Sequence, residues 1–335
     1  MELTHYIGVD ISKNTLDFAV CKQGEIILQL QEENNKKGIS KVVKQLRNLP
    51  GFAMTQSVFC MEHTGIYNYH LQEYLQACKS HVWLETALRI KQSQGMLRGK
   101  NDQVDAVRIA EYAYTFREKI RLWKPVGDTI KQLKLLITMR ERLVNGITQL
   151  TTPLEENRNF MDKDLAKMER KAFKNTISAM KKDLKQVEKS IDEIIDQDPD
   201  LKKLFRLVTS VDGVGTITAI NIIAVTNQFN DFNDAKKFAC YSGVVPFKHT
   251  SGSSIRGRER VSHLANKKIK TLLHLAAMST IRMKGELQEY YKRKIAEGKN
   301  KMSVINAIRN KILYRIFAVV KRGSPYQKDY TFSLV

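Results

Sequence analysis

Seven apolar residues, Phe173, Ile177, Met180, Leu184, Val187, Ile191 and Ile194, follow one another at alternating steps of four and three. Only an α-helix carries such a series along one side, and a seam of this kind needs a second helix laid against it. Upstream, Leu133, Leu136, Leu143, Ile147 and Leu150 keep the same rhythm, with Arg140 in one seam slot. The two segments predict an antiparallel helical hairpin with its break in the stretch from Pro153 to Phe160. The same stripes serve equally well for contact between copies of the chain.

What precedes the seam has a different period. Tyr6 to Ile11, Thr15 to Cys21 and Glu25 to Gln31 read as three short strands separated by the turn-formers Ser12 to Asn14 and Gln23-Gly24, which is a meander. A helix from Ile39 to Leu49, a buried strand "SVFCME", a helix over "GIYNYHLQEYLQAC", a strand "HVWLE" and a helix from Gln103 to Phe116 follow. Strands alternating with helices after a meander predict a mixed α/β sheet, and Trp123-Lys124-Pro125 reads as the exit from that domain. Three domains are therefore expected: 1–125, a helical region over 126–200, and a mostly helical 201–335.

In that last part, "LFRLVTSVDGVGTITAINIIAVT" reads as two apolar helices joined by a turn with Gly213 and Gly215. Glycines there let backbone N–H groups approach a phosphate at a helix start, as in a helix-hairpin-helix, although such a glycine pair also marks an ordinary tight turn. Asn233 to Tyr241 is expected to be helical, a basic loop follows, and Ser262 is expected to cap a long helix through Leu264, Ile269, Leu272, Leu273 and Ala276.

Composition names the kind of partner. A formal net charge of +21 with 42% hydrophobic residues describes a folded chain that meets a polyanion, and nucleic acid is the default. Charge alone also suits a ribosomal or membrane-surface partner. Cys21, Cys60, Cys78 and Cys240 lie far apart without metal-finger spacing, so neither a disulfide framework nor zinc is indicated. No signal pattern and no apolar run of spanning length is seen, so a cytoplasmic, nucleoid-associated location is expected.

Within this frame several carboxylates stand where burial demands a partner. Asp10 ends the first strand and Glu62 closes "SVFCME", while Asp102 and Asp105, three apart at a helix start, share one face. Each alone can be a cap, a turn or an ion-pair residue. Together, on a meander-first pattern, they match a ribonuclease-H-like layout, and hard oxygen donors of this kind suit Mg2+ or Mn2+ and phosphodiester chemistry. His63 beside Glu62 is read as a supporting residue, and His249, His263 and His274 suggest no zinc site.

The stretch "HTSGSSIRGRERVSH" holds three serines beside Arg256, Arg258 and Arg260. In an extended chain the alternating arginines would all face one side, where guanidinium groups suit phosphate oxygens. A serine beside them can attack a phosphodiester, or the whole segment can be a backbone clamp that performs no chemistry.

Taken in order, "GVDISK", "MEHTG", "KNDQVDA", "VDGVG", "YSGVVPFKHTSGSSIRGR" and "VSHLANKKIK" resemble the bridge-RNA-guided insertion-sequence transposases that join a DEDD, RuvC-like N-terminal domain to a C-terminal serine transposase domain. The resemblance covers nearly the whole chain. It implies a recombinase that moves its own element, with a noncoding RNA pairing to donor and target DNA. By position it assigns Asp10, Glu62, Asp102 and Asp105 to Mg2+ and Ser251, just before Gly252, as the nucleophile giving a 5′-phosphoserine ester. Ser242, Ser253 and Ser254 are the neighbouring serines. Arg256 and Arg258 fall where the cut phosphate is expected, and Lys267, Lys268 and Lys270 where DNA backbone is expected. It also implies a dimer or tetramer in which acids of one subunit work with the serine of another.

Two other readings compete. A resolvase-like metal-dependent nuclease would use the acids to activate water and the serine segment only to grip DNA. A non-catalytic architectural protein would bind nucleic acid by charge, with sensitivity to salt but indifference to Mg2+.

Overall fold

A computed structural model describes residues 3–63, 65–93, 102–251 and 255–328, with the side chains of 102, 248–251, 255, 256 and 258 outside that description. The chain divides into two compact units, Met1–Pro125 and Val126–Val335.

The first unit begins with the meander β1 (His5–Ile11), β2 (Thr15–Lys22) and β3 (Glu25–Glu33). Gln23 and Gly24 both take positive φ, 55° and 91°, the turn whose twist matches two antiparallel strands. Then come α1 (Lys36–Arg47), β4 (Ser57–Glu62), α2 (Tyr69–Ala77), β5 (His81–Glu85), α3 (Ala87–Ser93) and α4 (Asp102–Thr115). Asn35 caps α1, its side chain accepting from the Gly38 N–H at 2.8 Å. The strands form one sheet in the order β3-β2-β1-β4-β5, with β1 antiparallel to β2 and parallel to β4, and β4 parallel to β5.

Alternation along the strands sends Ile7, Val9, Phe18, Val20, Phe59 and Met61 to one face, where they pack with Ile39, Val42, Leu46, Leu71 and Leu75 of α1 and α2. The other face carries Tyr6, Ala19, Cys21, Val58, Cys60 and Trp83, covered by Ala106, Ile109, Ala110 and Ala113 of α4. Gly8 is what lets α4 sit there. A Cβ at that position would lie 2.2 Å from both the Ala106 carbonyl oxygen and the Ala110 nitrogen.

The second unit opens with α5 (Asp128–Phe160) and α6 (Lys163–Gln197). Arg140 meets Glu188, Gly146 faces Met180, and Asn157 bonds Glu169, so the two run antiparallel. The break falls at the far end of the expected stretch: α5 continues through Pro153 and ends at Phe160, with Asp162 capping α6. Burial of the seam is graded. Val187, Ile191 and Ile195 are buried where α6 meets the rest of the unit, whereas Leu165, Met168 and Phe173 toward the turn are exposed.

Next come α7 (Pro199–Thr209), α8 (Thr216–Val225), α9 (Ala235–Tyr241), β6 (Pro246–Ser251), β7 (Ile255–Val261), α10 (Lys267–Thr280), α11 (Glu286–Ala296) and α12 (Lys301–Arg322). Their core joins Ile220, Ile223, Leu273, Ala277, Ile308, Ile312 and Ile316, with Phe238 and Phe229 packed on Phe317.

Two expectations are corrected in this unit. The segment read as a basic loop is an antiparallel strand pair, β6 with β7. Ser262 does not cap the following helix: its hydroxyl accepts from the Leu264 N–H at 3.1 Å in a local turn, and Asn266 caps α10 by accepting from the Ile269 N–H at 3.0 Å.

Candidate active site

Cross-strand register brings acids into one row. Asp10 of β1 pairs directly with Asp17 of β2. Val9 pairs with Met61, so the next step along both strands sets Asp10 beside Glu62, and Glu62 in turn pairs with Glu85 of β5. Adjacent strands lie about 4.8 Å apart, so Asp17, Asp10, Glu62 and Glu85 occupy successive positions across four strands on the face that α4 covers.

The first turn of α4 lies at the same end. Tyr114 meets Tyr6 edge-on at 5.4 Å while Ala106 and Ala110 cover Gly8, so α4 runs antiparallel to β1 and its start points toward Asp10. That turn carries Asp102 and Asp105, and the positive end of the helix dipole lies beside the row. Asp105 is half-buried and accepts from Arg108 at 2.8 Å. The Asp102 side chain lies outside the described residues.

Asp17 and Glu85 were not among the residues expected from sequence. Asp17 is 2% exposed and accepts from the Gln31 amide at 2.8 Å, and with Gln31 and Gln103 it lines a small cavity of about 80 Å³. Glu85 is 7% exposed and accepts from the Thr86 N–H at 2.9 Å, Tyr112 Oη at 3.2 Å and Arg89 at 3.3 Å. Burial, and then the Glu85 carboxylate, push the Tyr112 phenol up to about 12, so it stays a hydrogen-bond donor. Burial, Glu85 and Glu62 likewise push the Cys60 thiol well up, which leaves it inert. Glu62 is half-buried, and its backbone is fixed by the buried Asn68, whose side chain donates to the Glu62 carbonyl at 2.7 Å. His63 is exposed, its N–H donating to the Glu85 carbonyl at 3.2 Å.

The row is made wholly of hard oxygen donors, the chemistry that Mg2+ or Mn2+ takes. Two carboxylates directly opposite each other across a strand pair repel, and a cation relieves that repulsion. Among the described residues no three His, Cys, Asp or Glu side chains are drawn together closely enough to hold a metal ion.

In the second unit, Ser251 ends β6 and its backbone pairs with Ile255. Gly252, Ser253 and Ser254 lie outside the described residues. Ser242 has a structural role: it is fully buried and its hydroxyl donates to the Phe238 carbonyl at 2.8 Å. Phe247 pairs with Arg260 and His249 with Gly257, two steps on β6 against three on β7, so β7 holds an extra residue there. The side chains of Arg256 and Arg258 lie outside the described residues.

Lys267, Lys268 and Lys270 all fall in the first turn of α10, which has no acidic residue. Cations there oppose the helix dipole and cost stability, so the turn concentrates positive potential suited to an anion. Lys267 is exposed, while Lys268 is engaged with Glu141 of α5 at 2.6 Å. Of the two glycines in the α7–α8 turn, Gly213 has φ +80°, and a Cβ on it would lie 2.1 Å from Thr280 Oγ1. The chain's own α10 therefore packs closely against it. Gly215, which precedes the first residue of α8, has open space around it.

Comparison with known proteins places these two units. Residues 7–157 match the family model for a DEDD transposase of the IS110 type, and residues 205–292 match the one described as Transposase IS116/IS110/IS902 family. The chain is 25% identical over 327 residues to the pilin gene-inverting protein of Moraxella lacunata, spanning 96% of this chain and 98% of that one. It is 26% identical over 328 residues to the protein of that name from Moraxella bovis, with the same coverage of both. It is 24% identical over 262 residues to the transposase for insertion sequence element IS1111A of Coxiella burnetii, 68% of each chain.

Proposed function

We propose that the chain is an insertion-sequence transposase of the IS116/IS110/IS902 type, an enzyme that acts on DNA, and that it cuts and rejoins strands with the carboxylate row and Ser251 as its two chemical centres. The observation that carries the reading is the row itself: Asp10 and Glu62 adjacent on parallel strands, with the acidic first turn of α4 at their end. The strand order β3-β2-β1-β4-β5 with one antiparallel half supports a ribonuclease-H-like, RuvC-like domain.

Asp10, Glu62, Asp102 and Asp105 are the residues to hold Mg2+, and a bound ion there would supply Lewis-acid stabilisation of charge on phosphate oxygens. Asp105 reaches that role by exchanging Arg108 for the ion. Ser251 Oγ forms a bond to phosphorus as the bond from phosphorus to the 3′ oxygen breaks, and that oxygen leaves with a proton as a 3′-hydroxyl. A 3′-hydroxyl of the exchanged strand then attacks the phosphoserine, reforming the diester and returning the proton to serine. Ester energy is conserved throughout, so no nucleotide cofactor is needed. Arg256, Arg258 and Arg260 on β7 and the lysines of α10 supply the positive charge that grips the backbone.

Work is divided by domain in this reading: acids in 1–125, a coiled-coil hairpin in 126–200 that links copies into a dimer or tetramer, and the serine with a helix-hairpin-helix-like turn at Gly215 in 201–335. A noncoding guide RNA pairs with donor and target, so the chain reads backbone shape and charge and leaves sequence to base pairing. The names of the two Moraxella relatives favour rejoining over simple cutting, because inverting a gene requires every broken end to be resealed.

A plasmid carrying the element, scored by sequencing for precise excision or inversion junctions, tests the reading. Wild type with the guide RNA yields sealed junctions, and Asp10→Asn yields none. Sealed junctions from Asp10→Asn would remove the carboxylate row from the mechanism.

A further inference from the structure

Beside the carboxylate row the first unit holds a second feature that the cutting chemistry does not use. A cavity of about 630 Å³ has among its lining residues Trp83 and Glu85 of β5, Arg89 of α3, Tyr112 of α4, and Phe116, Glu118, Lys119 and Arg121 after it, so its cations outnumber its carboxylates by three to two. Its size falls within the range of small-ligand sites.

Its chemistry is specific in three ways. Trp83, Tyr112 and Phe116 form a continuous aromatic series, with ring centroids 5.3 and 4.8 Å apart. Phe116 is only half-buried, which leaves ring surface for a flat ligand. Trp83 is 1% exposed, and its indole Nε1–H is buried with no acceptor among the described residues. Lys119 and Arg121 are exposed cations, with Lys119 Nζ already 5.6 Å over the Phe116 ring, while Arg89 is held by Glu85. Flat π-surface on the exposed side of Phe116 and negative charge for two cations together describe a nucleotide.

We propose that this cavity binds one unpaired nucleotide of a single strand, its base against Phe116 and its phosphate near Lys119 and Arg121. Binding of the nucleotide stands on the cavity alone. Its place in the reaction rests on the reading given above: Glu85 lines the cavity and pairs with Glu62, so the bound nucleotide neighbours the strand held at the acids.

Trp83 and Trp123 are the two tryptophans of the chain, so full-length protein with Trp123→Phe reports from Trp83 alone. Trinucleotides rA3 and dA3, titrated without Mg2+, are expected to give a saturable change in Trp83 emission, and an abasic trinucleotide none. Affinity should fall about tenfold in Phe116→Ala and in the surface variant Arg121→Glu, as loss of one stacking or charge contact does. A response to rA3 alone assigns the cavity to RNA through the 2′-hydroxyl, and a response to dA3 assigns it to a DNA strand. No saturable change with either, or a change equal in both variants or with the abasic probe, overturns the proposal. Asp10→Asn should keep the full signal, so failure of the nucleotide site and failure of the cutting site are read separately.

Discussion

Asp17 lies directly across from Asp10 on the neighbouring antiparallel strand, and Asp17 is the more deeply buried of the two, with the Gln31 amide bonded to it. Two carboxylates so placed make the apo site electrostatically unfavourable, and a divalent cation is the natural relief. Mg2+ at ten to a hundred times its dissociation constant should therefore stabilise the wild-type chain by about 1.4–2.7 kcal/mol. Asp10→Asn should lose most of that gain, and Asp17→Asn part of it. Thermal melts with and without Mg2+ measure this, and equal gains in all three proteins would detach the row from metal binding.

Gly8 is the point at which α4 touches β1, with no room for a methyl group between Ala106 and Ala110. Gly8→Ala should cost about 1–3 kcal/mol through overpacking. It should also lower strand exchange by moving the acidic turn of α4. Urea denaturation monitored beside activity checks both; an unchanged midpoint would mean that α4 shifts freely.

Ser242 and Ser251 have opposite expectations. Ser242 is buried with its hydroxyl on the Phe238 carbonyl, so Ser242→Ala should cost about 1 kcal/mol of stability and leave strand exchange intact. Ser251→Ala should be stable and inactive. Junction sequencing of the two variants separates them, and activity in the second would reassign the nucleophile.

His274 of α10 shares a 2.6 Å hydrogen bond with the buried Arg309 of α12, and burial followed by the Arg309 charge lower its pKa. Arg309 can only donate, so His274 must accept and stay neutral. The unfolded chain takes up a proton below about pH 6.5 while the folded one resists, so stability contributed by this pair is present above that pH and lost as pH falls. Denaturation midpoints between pH 8 and 5 should fall less steeply in His274→Gln than in wild type. Parallel slopes would contradict this.

How legible the molecule was from its sequence varies with how local the determining interaction is. The strands ending at Asp10 and Glu62 could be read because turn residues and period-two burial act over a few residues. Asp17 and Glu85 could not, since their membership of the row depends on register between strands, and a single acid inside "TLDFAV" or closing "HVWLE" carries no local mark of it. The β6–β7 pair was hidden for the opposite reason: glycine and arginine have little strand propensity, so pairing there is set by the partner strand. At Gly213 the residue that packs against the backbone, Thr280 of α10, lies far along the chain, so no local pattern marks it.

The most direct measurement is a denaturing gel of labelled donor and target DNA incubated with guide RNA and Mg2+, comparing wild type, Ser251→Ala and Asp10→Asn. The account predicts a protein–DNA adduct with wild type that is absent without Mg2+ and absent with either variant. DNA cut to free ends by Ser251→Ala as readily as by wild type, with no adduct in either, would contradict it and make the chain a metal-dependent nuclease.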